Sequence, residues 1–198
     1  MSEVPEPRRR SDGIGWFVAG YAGVLGFLVL EASARQRGAA SSLNASRDDH
    51  GTTRMIVAAY ATAAVAAPLI RLIRPPQLPR AVAPLGLGLE LAGLGLRAWS
   101  MRTLGVSYTR TLRVGGTQQV VDRGPYRFVR HPGYAGSLLI WTGFALTSRS
   151  FMVVEVVGGL LSVAYHRRVG AEEALLRREL RGYEAYGKRT KRLIPFVW

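Results

Sequence analysis

The sequence predicts an all-α protein: a polytopic membrane helix bundle of about five transmembrane helices, with a cytoplasmic connector and a helical C-terminal tail. Three observations carry that expectation. Charged residues are segregated from apolar ones, so that the blocks 14–30, 55–70, 81–96, 133–148 and 150–165 contain only Glu90 and Glu155 between them. Small residues recur inside the blocks. Lys and Arg are distributed unequally among the connecting segments.

Each block of 16 or 17 residues makes a helix of roughly 25 Å, slightly under the thickness of the hydrocarbon core, so flanking residues must complete each span. One such block fits a buried core helix. Five in 198 residues exceed the core of one small soluble domain. The first block carries Gly20, Gly23 and Gly26, a face that permits close helix pairing. The second is an alanine-rich run, and Pro68, Pro75, Pro76, Pro79 and Pro84 punctuate the turn that follows. The third carries Gly86, Gly88, Gly93 and Gly95 around Glu90, which is expected to face the bundle interior, toward Arg97 or a ligand cavity. Blocks four and five form a hairpin, with Glu155 near its turn at Arg149. The chain divides into an N-terminal part, 1–80, and a core, 81–198, that contains the connector 97–132 and the tail 166–198.

Of the 27 basic residues, 20 fall in the three segments that alternation puts on one side, and 7 fall on the other. The positive-inside rule places the connector and the C-terminus in the cytoplasm, in a multi-pass protein of the plasma membrane. A net charge of +14 would otherwise point first to nucleic acid. Segregated this way, it points to topology and to membrane lipid headgroups, and no nucleic-acid partner is expected. The absence of cysteine excludes disulfide scaffolds, thiolate metal sites and thiol nucleophiles; no metal site is expected. Oligomeric state stays open.

Two segments carry chemistry, both on the basic side. Residues 122–136 read Asp-Arg-Gly-Pro-Tyr-Arg-Phe-Val-Arg-His-Pro-Gly-Tyr-Ala-Gly, which supplies cationic donors, tyrosine rings and hydroxyls, and a Gly/Pro-shaped approach to the fourth span. Residues 165–176 read Tyr-His-Arg-Arg-Val-Gly-Ala-Glu-Glu-Ala-Leu-Leu, and Arg168 and Glu172 share one face of a helix continuing from the fifth span. As a surface pair they would contribute only about 0.3–0.5 kcal/mol. At the mouth of a bundle they can instead hold a polar group whose apolar remainder stays in lipid.

These motifs, the hairpin between them, and the Tyr183-x-x-Tyr186 and Ile194-Pro195-Phe196 ending resemble the isoprenylcysteine carboxyl methyltransferase family of integral-membrane enzymes, over roughly residues 80–198. The region around Glu179 to Tyr183 departs from the family pattern by one residue. The resemblance implies methyl transfer from S-adenosyl-L-methionine to the carboxylate of a prenylated cysteine or other lipophilic substrate. It implies cofactor contacts from Tyr126, His131, Pro132, Gly133, Tyr134 and Glu172, with Gln118 to Val121 lining the stretch before them. Arg168 would hold the substrate carboxylate, and Arg168 and Glu172 would form the catalytic pair. A carboxylate acceptor is ionised at neutral pH and needs no general base; a phospholipid amine would need one, with His166 or Glu173 as candidates. The same motifs admit two further classes, a sterol-reductase-like membrane enzyme and a non-catalytic scaffold for anionic lipid.

Overall fold

The computed structural model describes residues 11–36, 49–105, 108 and 119–193. Six α-helices follow in order: α1 (Ser11–Gln36), α2 (Thr52–Leu72), α3 (Val82–Leu104), α4 (Pro132–Thr147), α5 (Phe151–Glu179) and α6 (Tyr183–Arg189), with a 3-10 turn at Gly124–Arg127 before α4. The first five form the expected bundle. Two stretches, Gly13–Ser33 and Thr52–Leu72, are long and apolar enough on their own to cross a membrane. The others depend on the bundle: α3 holds Glu90, Arg97 and Arg102, and α4 has only 16 residues. Large apolar side chains on the outer surface, among them Val18, Leu25, Val29, Val65, Leu69, Leu85 and Leu91, are more than half exposed. In water such a belt would drive aggregation, whereas in a bilayer it meets acyl chains.

The α3–α4 pair is built on glycine. A β-carbon on Gly93 would lie 2.6 Å from the Gly136 carbonyl oxygen, and one on Gly143 would lie 2.3 Å from that of Gly86. Glycine spaced by seven on each of two antiparallel helices therefore puts backbone directly against backbone. On α2, Ala59, Ala63 and Ala67 repeat at intervals of four and pack in the core shared with Val153, Val157, Leu161 and Ala164 of α5.

Helix α1 docks on α3 and α4 through Gly20 and Gly23, whose missing β-carbons leave room for Glu90 and Thr147. The glycine face expected to serve helix pairing is thus occupied within the chain. Glu90 is fully buried, as expected, but it reaches neither Arg97 nor the cavity described below. Its carboxyl lies against Gly20 and Gly23, and neither oxygen has a hydrogen-bond partner among the described residues. The reason is spacing: Arg97 lies about two turns further along α3, where Glu31 of α1 takes it.

Helix α5 runs about four turns beyond the expected span end at 165, to Glu179. Glu31, Asp49, the described residues of the connector and this extension all gather at one end of the bundle. The α2–α3 and α4–α5 turns meet at the other, where the Leu78 amide donates to the Arg149 carbonyl at 2.7 Å.

Gly143→Ala is expected to destabilise the bundle by about 1–3 kcal/mol, the usual cost of overpacking. Gly95→Ala is expected to leave it unchanged, because no neighbouring atom lies within 4 Å of the added carbon. Thermal unfolding in a mild detergent compares the two; equal midpoints would contradict the seam.

Candidate active site

A cavity of about 510 Å³ opens at the crowded end of the bundle. Its inner part is apolar, lined by Val24, Phe27, Leu28, Ile56, Val57, Ala61 and Ala64 of α1 and α2, with Trp141 of α4. Its outer part is polar, lined by Arg97, Gln119, Tyr126, His131, Tyr134, Arg168 and Glu172, with Tyr183 and Tyr186 over it.

Of the residues expected at a site, Val121, Tyr126, His131, Gly133, Tyr134, Arg168 and Glu172 all line this cavity. Gln118 lies outside the described residues. Pro132 does not line it: it is fully buried at the first position of α4, where a ring with no N–H costs the helix nothing and fixes the backbone. His166 is exposed on the far side of α5.

Three carboxylates fix the polar wall, Asp49 and Glu173 buried and Glu31 partly so, and each joins separate elements. Glu31 accepts from Arg97 Nε at 2.7 Å, while Arg97 Nη1 donates to the Gly133 carbonyl at 2.7 Å and to Ser137 Oγ at 2.6 Å, tying α1, α3 and α4 together. The Arg97 guanidinium also lies 5.1 Å from the Phe27 ring centre, so the cation has aromatic as well as carboxylate compensation.

Asp49 is fully buried ahead of α2. It accepts from the Thr53 amide at 3.1 Å and from the Thr53 hydroxyl at 2.6 Å, and its Oδ1 meets Arg168 Nη1 at 2.6 Å. Burial opposes its ionisation, but the Thr53 hydrogen bonds and the Arg168 charge outweigh burial and hold the carboxyl below its ordinary range. The hydroxyls of Thr52 and Thr53 also accept from Arg168 Nη1, and the Tyr134 hydroxyl accepts from its Nε at 2.8 Å. Tyr134 in turn donates to Glu172 Oε2 at 2.5 Å. Arg168 is therefore a fixed, carboxylate-balanced cation facing the cavity.

Glu173 is the third. Arg130 Nε donates to its Oε1 at 2.6 Å, His131 Nε2 lies 3.3 Å from the same oxygen, and Arg177 holds Oε2 at 2.7 Å. Arg130 also donates to the carbonyls of Gly187 and Thr190, and the Arg130 and His131 amides donate to the carbonyls of Lys191 and Arg192. The end of the connector and the C-terminal tail up to Arg192 are thus clamped together, with His131 stacked on Tyr134 at 5.5 Å between ring centres. Burial alone would raise the Glu173 carboxyl, but the His131 and Arg130 hydrogen bonds and charges bring it down to about 2.

Sequence reasoning missed Glu31, Asp49 and the Arg130–Glu173 clamp. Asp49 followed by Thr52 and Thr53 ahead of an apolar run carries the signature of a helix start, but nothing in the sequence says what else its carboxylate meets. Where the family pattern departs, Leu180 and Gly182 turn the chain, with Gly182 in the left-handed region at φ 82, and deliver Tyr183 and Tyr186 to the cavity.

Asp49→Asn is expected to cost about 3–5 kcal/mol in unfolding stability, since it leaves a buried guanidinium unbalanced; thermal unfolding measures it. Glu173 gives a pH signature. Its folded-state pKa lies below the ordinary value of 4.5, so the unfolded chain takes up the proton first as pH falls. Its contribution is complete above about pH 4.5 and disappears toward about pH 2. Across that interval the stability gap between wild type and Glu173→Gln should close, and a gap that stays constant would contradict the clamp.

The model of the phospholipid methyltransferase family matches residues 82–182. Probable protein-S-isoprenylcysteine O-methyltransferases of Oryza sativa subsp. indica and subsp. japonica are each 29% identical over 119 residues, which cover 59% of this chain and 62% of theirs; the chain spans less than two thirds of these relatives. Among solved structures, a eukaryotic intramembrane Ras methyltransferase, isoprenylcysteine carboxyl methyltransferase, matches with a TM-score of 0.60 at 22% identity, over 70% of this chain and 52% of that one. The expected likeness to the isoprenylcysteine enzymes is borne out, and the helical membrane fold agrees. With half of its length matched, including the connector, the α4–α5 hairpin and the Arg168–Glu172 face, the chain belongs to the phospholipid methyltransferase family.

Proposed function

We propose that this protein transfers a methyl group from S-adenosyl-L-methionine to the carboxylate of a lipophilic, isoprenylcysteine-like acceptor. One observation carries the reading: a single cavity joins an apolar chamber between α1 and α2 to a polar chamber at the bundle end. A lipid tail and a polar cofactor can therefore meet without either leaving its preferred surroundings.

The polar chamber suits that cofactor. Glu172 offers a carboxylate to an ammonium group. The Tyr183 hydroxyl lines the cavity, buried and without a hydrogen-bond partner among the described residues, and Tyr126, Tyr183 and Tyr186 present ring faces for a base. When bound, the cofactor supplies an electrophilic methyl on a sulfonium. The protein's own residues align and dry the site. Arg168, locked by Asp49 and Tyr134, presents a cation to the acceptor carboxylate, and the tyrosine lid with the apolar chamber excludes water. Opposite charges that vanish as an ester forms react more readily in such surroundings. Neither candidate base for an amine acceptor is in place: His166 faces away, and Glu173 lies outside the cavity lining with both oxygens taken by Arg130, His131 and Arg177, which makes it a poor proton acceptor.

His131→Ala and Glu172→Ala should abolish binding of S-adenosylhomocysteine in calorimetry, while Glu155→Gln, exposed near the far end of α5, should not. Labelled methyl transferred into a lipid extract should be released by mild alkali, as an ester is. Alkali-stable label would instead indicate an amine acceptor such as a phospholipid headgroup, and would reject the carboxylate reading.

A further inference from the structure

At the end of the bundle opposite the cavity, four arginines gather where α1 begins and the α2–α3 and α4–α5 turns meet. Arg71 Nη1 donates to the Ser148 carbonyl at 3.1 Å, and its guanidinium lies 4.6 Å from the Phe17 ring centre. Arg149 donates to the Leu78 carbonyl from Nε at 3.3 Å and from Nη2 at 3.0 Å. Arg74 and Arg80 flank that loop. Between it and α1 lies a recess lined by Gly15, Trp16, Ala19, Arg80 and Arg149.

Among the described residues, none of the four arginines has a carboxylate partner. The C-termini of α2 and α4 lie nearby, but each carries only about half a negative charge, and the N-termini of α1, α3 and α5 at the same end offset them. Several full positive charges therefore stay uncompensated beside lipid. Backbone conformation adds an independent observation. Arg74 and Arg149 occupy the left-handed region, with φ of 49 and 55, where glycine would hold the same turn without strain. A strained arginine in that place argues that its side chain is used; the Leu78 carbonyl takes one edge of the Arg149 guanidinium, through Nε and Nη2, and the residue also lines the recess. Trp16, at the rim of the recess, is of the residue type that marks the headgroup level.

We propose that this recess binds the phosphate of an anionic phospholipid headgroup in the leaflet away from the cavity. The planar guanidinium fork matches phosphate in two-point contact. A headgroup fits better than a free anion because Ile14, Val18, Leu72 and Ile73, each more than half exposed, surround the site with surface suited to acyl chains.

The test uses the full chain in neutral detergent, titrated with phosphatidylglycerol, phosphatidylcholine or inorganic phosphate while thermal unfolding is followed. Phosphatidylglycerol should raise the unfolding midpoint of the wild type, and phosphatidylcholine and inorganic phosphate should not. Arg80→Gln combined with Arg149→Gln should lose most of that rise. Arg149→Gly relieves the left-handed strain but gives up the side-chain hydrogen bonds to the Leu78 carbonyl, so without lipid its unfolding midpoint should stay close to that of wild type, yet it should bind phosphatidylglycerol about tenfold more weakly through loss of a charge-assisted contact. Wild-type lipid responses in both variants would overturn the proposal, as would an equal response to phosphatidylcholine or to inorganic phosphate.

Discussion

Backbone-to-backbone contact between α3 and α4 is the constraint on which the rest of the structure depends. Lipid supplies no hydrophobic driving force between helices, so close packing must hold them. Pairing Gly86 with Gly143 and Gly93 with Gly136 fixes the register of the two helices as well as their separation. That register sets Arg97 beside the Gly133 carbonyl and Ser137, and Gly133 follows directly on the His131-Pro132 start of α4. The polar wall of the cavity is therefore aligned by contacts between residues that have no polar side chains.

Charge is fixed in place just as firmly. Arg97, Arg130 and Arg168 are each matched by a carboxylate from another part of the chain: the partly buried Glu31 and the buried Glu173 and Asp49. Buried ion pairs add little net stability against a hydrophobic alternative, but breaking one is costly. They specify instead. Each carboxylate accepts only the arrangement that brings its arginine to the cavity edge, so the cations are positioned before any ligand arrives.

Much of this was legible in the chain. Five nearly uncharged blocks gave the bundle, because lipid demands continuous apolar surface, and the 122–136 and 165–176 motifs located the polar wall, because their donors and rings are contiguous in sequence. What escaped was pairing across distance. Asp49 and Arg168 are 119 positions apart, and no local pattern links them. Glu90 was correctly placed inside, but its surroundings depend on where α1 docks. Pro132 sits inside a recognisable motif, yet its work is to start a helix. Motif membership marks a neighbourhood, and side-chain direction decides which members face the ligand.

Helix α1 changes meaning in this light. An apolar segment ahead of a motif-bearing core reads as a mere anchor, yet Phe27, Leu28 and Glu31 form one side of the cavity, and Gly20 and Gly23 are taken up in docking to α3 and α4. A chain shortened to begin at α2 would retain every recognisable motif and lose a wall, leaving the Arg97 guanidinium without its counter-charge and the apolar part of the cavity open to lipid along its whole flank. The unit that encloses the cavity is thus larger than the stretch that sequence similarity outlines.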